Sequence, residues 1–275
     1  MASCVLAIGS RAIRATPEGL LVVQGGGWSE DLEVGRQALS DGATSQQAVE
    51  QLAGLGRRDA QYAAVLAGRG PAASWSGSTA MGWAGSIVEG EFAAQGNTLV
   101  GAQVLEACRD AWRAGSELQV EERLLQALAA GTAAGGDVRG QQSAVLLTLN
   151  ASGKPRRDLR VDDDAAAVDR LEHLLTVARA HELLQDAWAR VPGDLGAAAE
   201  LLSSALRLAP QDGLLLQTAA LVLLHTGADA DAEYCWRRAL PGLPDPAARL
   251  HTWTSLTWTD PERLRRLEGV GTTSK

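Results

Sequence analysis

Apolar and polar positions follow two rhythms along this chain, and the change between them divides it. As far as about residue 165, short apolar runs bounded by glycine take turns with amphipathic stretches, the pattern of strands alternating with helices. In "MASCVLAIGS", Val5, Leu6, Ala7 and Ile8 read as the inside of a buried strand, with Gly9-Ser10 as its turn. "GLLVVQGG" (19–26) predicts a further strand. "SEDLEVGRQALSDG" predicts a helix capped by Ser29, with Leu32, Val34, Ala38 and Leu39 along one stripe. "TSQQAVEQLAGLG" predicts a second helix, capped by Thr44 or Ser45 and stopped by glycine. Short strands are expected at "QYAAVLA", "AASWSG", around Ile87-Val88 and at "EFAAQG", followed by helices over 99–114 and 120–130. "QSAVLLTLN" (142–150) is the strongest strand signal, and "RDLRVD" its hairpin partner across "ASGKPR".

Beyond Asp164 the strand rhythm stops. "DDDAAAVDRLEHLLTVARAHELLQDAWARV" predicts one long amphipathic helix whose acidic start suits the helix dipole and which Pro192-Gly193 ends. An internal echo follows. "LLSSALRLAPQD" resembles "EYCWRRALPGLPD", and Ala205-Leu206 stands 34 residues before Ala239-Leu240, the period of a tetratricopeptide helix pair. Between them, "LLLQTAALVLLHTGADADAEYCW" reads as helix, glycine turn, helix. Two domains are therefore expected, 1–190 and 191–275.

Composition narrows the function. A net charge of −8 and a pI near 5.1 argue against nucleic acid or an anionic membrane, which need a basic footprint. The local basic clusters "KPRR" and "RLRR" read as solvated surface. With 46% hydrophobic residues the chain can bury a sizeable core, and its eight Trp, against one Phe and two Tyr, read as packing plugs. Cys4, Cys108 and Cys235 lack zinc-binding spacing and read as small core residues of a reducing compartment. There is no signal-peptide pattern, and the most apolar stretch, 214–224, is too short to span a bilayer, so the expected location is the cytoplasm.

The chemistry is notable for what is missing. His173, His181, His225 and His251 all fall in helical text and none in the first 172 residues, so a Ser-His-Asp or Cys-His arrangement among the strands would need the tail to fold back. "GRGPAASWSG" lacks the Lys-Ser/Thr of a phosphate cradle, and no GxGxxG follows a strand. Three polar groups remain. Gln95 and Asn97 sit where a strand is expected to meet a helix; they either hold an anion or carbonyl oxygen there, or Asn97 caps the helix. Asp137 and Arg139 lie in a glycine loop before the best strand, where such a pair either fixes the loop or does chemistry. Asp162 and Asp163 end a strand, where helix capping is the plainer role.

"QGNTLVGAQVLEA", "GGDVRGQQSAVLL" and "DLRVDDD" with "VDRLEHLL", together with "ASCVLAIGS" and "GLLVVQ", resemble in order and spacing the bacterial family known as domain of unknown function 1028. The resemblance covers residues 1 to about 185. It implies an α+β, four-layer α-β-β-α sandwich of the N-terminal-nucleophile (Ntn) hydrolase kind, here lacking its first strand and followed by an all-α helical-repeat tail. It also implies hydrolysis of C–N bonds in an amide- or peptide-like small molecule. The side chain of residue one attacks and its own amino group serves as base, so no imidazole, cofactor or metal is called for. By carry-over Ser3, Gln24, Gln95 and Asn97 line the cleft, and Asp137, Arg139, Gln141 and Ser143 form a charged, hydrogen-bonded binding wall.

The sequence departs from the family pattern at its start. Members begin with Met-Thr and a strand that turns and returns along a second; this chain shows only the second. Ala2 has no nucleophilic atom and Ser3 stands behind it, so no hydrolysis is expected of the sequence as written. Two expectations follow: the true start lies upstream of Met1, or the protein is a non-catalytic binding or assembly module acting through its helical tail. Self-association or a protein partner is expected through that tail, with Trp236, Trp253 and Trp258 contributing.

Overall fold

A computed structural model describes residues 1–66, 68–256 and 259–270, and every strand pair it describes is antiparallel. Trp258 lies outside the described residues. In chain order the elements are β1 (Ala2–Ser3), a 3-10 turn (Ile8–Ser10), β2 (Ile13–Ala15), β3 (Gly19–Gly25), α1 (Asp31–Ser40), α2 (Ser45–Ala53), β4 (Ala60–Leu66), β5 (Ala73–Ser76), β6 (Trp83–Glu89), β7 (Phe92–Leu99), α3 (Gln103–Ala114), α4 (Val120–Ala133), β8 (Ser143–Leu149), β9 (Pro155–Val161) and α5 (Ala167–Arg190). Then come α6 (Leu195–Leu208), α7 (Gly213–Thr226), α8 (Asp229–Ala239), a 3-10 turn (Leu240–Gly242), α9 (Pro246–Thr254) and α10 (Pro261–Glu268). The fold is thus α+β with a helical C-terminal region. Two compact units divide it, Met1–His173 and Leu174–Lys275; the division falls inside α5, whereas the sequence reading puts a boundary near residue 190. Among the described residues no helix is long and apolar enough to cross a membrane.

In the first unit the strands form three sheets, ordered β2-β3-β4-β5, β1-β8-β9 and β6-β7. The period of two along β3 and β4 decides what each face meets. Leu21 and Val23 of β3, with Ala60, Tyr62, Ala64 and Leu66 of β4, join Leu32 and Leu39 of α1 and Leu52 of α2 in one buried core. The alternate residues Leu20, Val22, Gln24, Gln61, Ala63 and Val65 face the other way, and that opposite face is the one β7 approaches. The cap of α2 is as expected: Thr44 accepts from the Gln47 amide while Gln47 Oε1 accepts from the Thr44 amide. Ser29 does not cap α1; its hydroxyl turns to Glu30, and the Asp31 carboxylate accepts the Trp28 amide instead.

The apolar start of the chain departs from the reading. Val5, Leu6, Ala7 and Ile8 are not a strand: Ala7 has φ 52°, Leu6 is 54% exposed, and only Ala2–Ser3 pairs with β8. The cause is the fully buried Ser143, whose hydroxyl donates to the Val5 carbonyl (2.5 Å) and accepts from the Ile8 amide (3.1 Å). A short apolar run has no period of its own to separate strand from turn, so a serine far along the chain settles it.

The second unit is helical. The helix, glycine turn and helix read from "LLLQTAALVLLHTGADADAEYCW" are α7, Gly227 (φ 87°) and α8. Aspartates open four helices by accepting a first-turn amide: Asp194, Asp212, Asp245 and Asp260. The α7 helix is buried almost all round, and Trp236 of α8 meets Trp253 of α9 with ring centres 5.3 Å apart.

Candidate functional site

Four carboxamides gather on the face of β3 and β4 that the helices α1 and α2 leave free. Gln24 and Gln61 are directly opposite in the β3–β4 register. Gln61, fully buried, donates through Nε2 to Ser76 Oγ (2.7 Å) and the Gly96 carbonyl (3.0 Å), and its Oε1 accepts from Asn97 Nδ2 (3.0 Å). Gln24 Nε2 donates to the Gln95 carbonyl (3.3 Å). The fourth, the Gln95 side chain, has both Nε2 and Oε1 removed from solvent and no hydrogen-bond partner among the described residues. Leaving such a group dry and unpaired costs about 1–3 kcal/mol, which makes it the odd member of an otherwise satisfied cluster.

Asn97 is not at a helix start: β7 runs on through it and α3 begins only at Gln103. The reason is Thr98, which holds φ 55° inside the strand. A β-branched residue in the left-handed region is strained by about 1–3 kcal/mol. The surroundings fix it there: its amide donates to the Met81 carbonyl, its carbonyl accepts from the Val138 amide, and its hydroxyl donates to Asn97 Oδ1. The chain after the helix α4 is thereby drawn against the end of β7, where Leu99 and Asp137 bridge.

That loop carries the charged pair. Arg139 grips Asp137 with two parallel bonds, Nε to Oδ1 (2.9 Å) and Nη2 to Oδ2 (2.7 Å), and its amide donates to the same carboxylate. Gln141 Oε1 accepts the Val168 amide near the start of α5. Asp163 accepts from Gln142, and it is Asp164 rather than Asp162 or Asp163 that takes the Ala166 amide. The Ser3 hydroxyl accepts from the Val5 amide. Burial and the Asp137 carboxylate push the Cys4 thiol up, and burial does the same to Cys108. Both cysteines therefore stay protonated thiols rather than nucleophilic thiolates.

Part of this polar set opens onto one cleft of about 1080 Å³, from which Gln61 is set back. Ser3, Gln24, Gln95, Asn97, Asp137, Arg139 and Gln141 all line it; Ser143 does not, being spent on the 5–8 turn. Asp59 lines it too, its carboxylate lying over Gly26, where an added Cβ would push that side chain aside. Neither Asp59 nor Gln61 was marked by the sequence; glutamine in an apolar run, "QYAAVLA", was the one available signal for Gln61.

Residues 1–171 match the model of a family of unknown function (DUF1028), which is more than half of the chain. The chain belongs to the DUF1028 family. A crystal structure of a DUF1028 protein from Silicibacter pomeroyi is similar to it, with 32% identity and a TM-score of 0.58 over 64% of this chain and 80% of that one. None of the curated proteins matches. Each polar cleft residue named above lies inside the DUF1028 region.

A second buried cluster supports the DUF1028 region from its helical side. Asp31, 4% exposed, accepts from the Trp28 amide (2.9 Å), Arg57 Nε (2.8 Å) and the Tyr62 hydroxyl (2.8 Å). Burial opposes its charge, but the Trp28, Tyr62 and Arg57 bonds together hold its carboxyl below the ordinary carboxylate range. The folded pKa lies below the unfolded one, so the stabilisation is complete above the unfolded value and is lost as pH falls through the folded value. Urea unfolding of Asp31→Asn beside wild type should therefore show a stability gap at neutral pH that narrows steadily on acidification. A gap that stays constant or widens in acid contradicts this role.

Proposed function

We propose that the DUF1028 region is an Ntn-hydrolase-like module whose cleft takes up an amide- or peptide-like small molecule. The observation that carries this is the Gln95 carboxamide. It offers a donor and an acceptor from one planar group, and an amide ligand brings the matching acceptor and donor. Gln24, Gln61 and Asn97 hold the strand that presents it. A layered order also supports the reading: α1 and α2 lie on one face of the β2–β5 sheet, β7 approaches its other face, and α3 and α4 pack against β6, β7 and β8.

Cleavage of the bound amide would need a nucleophile, which Ntn chemistry takes from the amino end of the first strand. Met1, Ala2 and Ser3 line the cleft there. Ala2 carries no nucleophilic atom and the Ser3 hydroxyl turns back to the Val5 amide. The C-terminal unit we read as a tetratricopeptide-like module for self-association or a protein partner, on the strength of the α7–Gly227–α8 pair and the 34-residue echo.

Affinity selection of an amide and dipeptide library, read by mass spectrometry, tests the site. Wild type should retain a defined subset, and Gln95→Leu should weaken each retained compound about tenfold, the worth of one or two net hydrogen bonds. Retention of nothing by wild type, or of the same compounds equally by Gln95→Leu, overturns the reading.

A further inference from the structure

The outer margins of the sheets in the first unit are protected to different degrees. The strand β9 carries Pro155, Arg156, Arg157, Asp158 and Arg160, while β2 and β5 are only three and four residues long. Charge, proline and shortness are the ordinary means of stopping a sheet edge from recruiting another strand. The strand β6 has none of them. It is seven residues long, pairs only with β7 among the described residues, and reads "WAGSIVE", with no charge before its last residue, Glu89. None of its residues is buried, and Trp83, Ser86 and Val88 are exposed.

The hairpin geometry decides which backbone groups this edge offers. Gly90-Glu91 is a two-residue turn, so Glu89 and Phe92 form its closing hydrogen-bonded pair. Ile87 with Ala94 and Gly85 with Gly96 repeat that pairing at every second residue. Ser86 and Val88 therefore aim their N–H and C=O groups away from β7, and no protein partner meets those groups among the described residues. Charge and symmetry then select the occupant. A second copy brought to β6 by a two-fold axis runs antiparallel to it. Centred on Ser86, that pairing sets Ser86 against its own copy, Val88 against Ala84, Ile87 against Gly85 and Glu89 against Trp83. Residues 83–88 bring no charge to the seam. The two Glu89 carboxylates, each held by Arg113 of its own chain, stand about 20 Å apart, six residues along the strand. Val88 and Trp83 gain the apolar cover that the single chain does not give them.

We propose that β6 is a dimerisation edge, pairing antiparallel with β6 of a second copy about Ser86 so that the β6–β7 sheet continues from one molecule into the other. The contact is independent of the amide reading and of any association through the helical unit. Sedimentation velocity of the full chain tests it. Wild type should run as a dimer at micromolar concentration. Ser86→Lys and Ser86→Glu each set like charges face to face across the axis, and each should weaken dimerisation by at least about tenfold. An equimolar mixture of the two should recover the dimer, because lysine then meets glutamate. The Ser86 side chain is exposed, so both variants should keep the far-ultraviolet circular dichroism of wild type. If either does not fold, hydrogen exchange of wild type decides: protection of the Ser86 and Val88 amides should rise with protein concentration. Monomeric wild type, or protection independent of concentration, overturns the proposal. A dimer that both variants keep is made by another surface and overturns it equally, and a mixture that stays monomeric overturns the pairing about Ser86.

Discussion

Replacing Gln61 by leucine should destabilise the β3–β4–β7 region by about 3 kcal/mol, because it strips partners from three groups at once. The Gly96 carbonyl, the Asn97 amide and the Ser76 hydroxyl each lose the side chain that bonds them, in a place where water does not replace it. These losses are coupled through one network and do not add independently. The amide protons of β3, β4 and β7, followed by hydrogen exchange and mass spectrometry, should lose about a hundredfold in protection. Asn97 should also lose its fixed orientation, so the Gln95 strand is presented less well and ligand affinity falls with stability. Protection unchanged in Gln61→Leu would mean that the amide cluster is incidental to the sheet.

The second large effect is expected in the helical unit. Trp236 is fully buried and packs against Trp253, within the cluster that includes Leu215, Leu221 and Leu224 of α7. Trp236→Ala removes the largest buried side chain there and leaves a cavity that the helices can only partly close. The expected cost is about 4 kcal/mol, with exchange protection lost across α7 and α8. Trp236→Phe should cost distinctly less, since most of the volume is kept. Equal effects of the two would point to the lost indole N–H instead of volume.

Much of the element order was legible from periodicity alone. The hairpin β8–β9, the capping box at Thr44 and the α7–Gly227–α8 pair follow from local residues, and local residues decide them. What could not be read depends on partners distant in sequence. Ser143 turns the 5–8 segment, Met81 and Val138 hold Thr98 in a strained conformation, and so β7 continues through Asn97 where a helix cap was expected. The same holds for the site. The family resemblance pointed to Gln24, Gln95 and Asn97, and these three do share one cleft. Gln61, which ties them together, is marked in sequence only by a polar residue at the head of an apolar run. The Asp31–Arg57–Tyr62 cluster was equally hidden, because its members are spread over 31 residues and meet only when α1 covers the sheet.

The central claim is that the Gln95 carboxamide is the group that recognises the ligand. A crystal structure of the chain soaked with an amide retained in the affinity selection tests it most directly. The ligand amide should lie within hydrogen-bonding range, about 2.7–3.2 Å, of Gln95 Nε2 or Oε1. A ligand bound elsewhere, or bound in the cleft with Gln95 still unpartnered, would contradict the account.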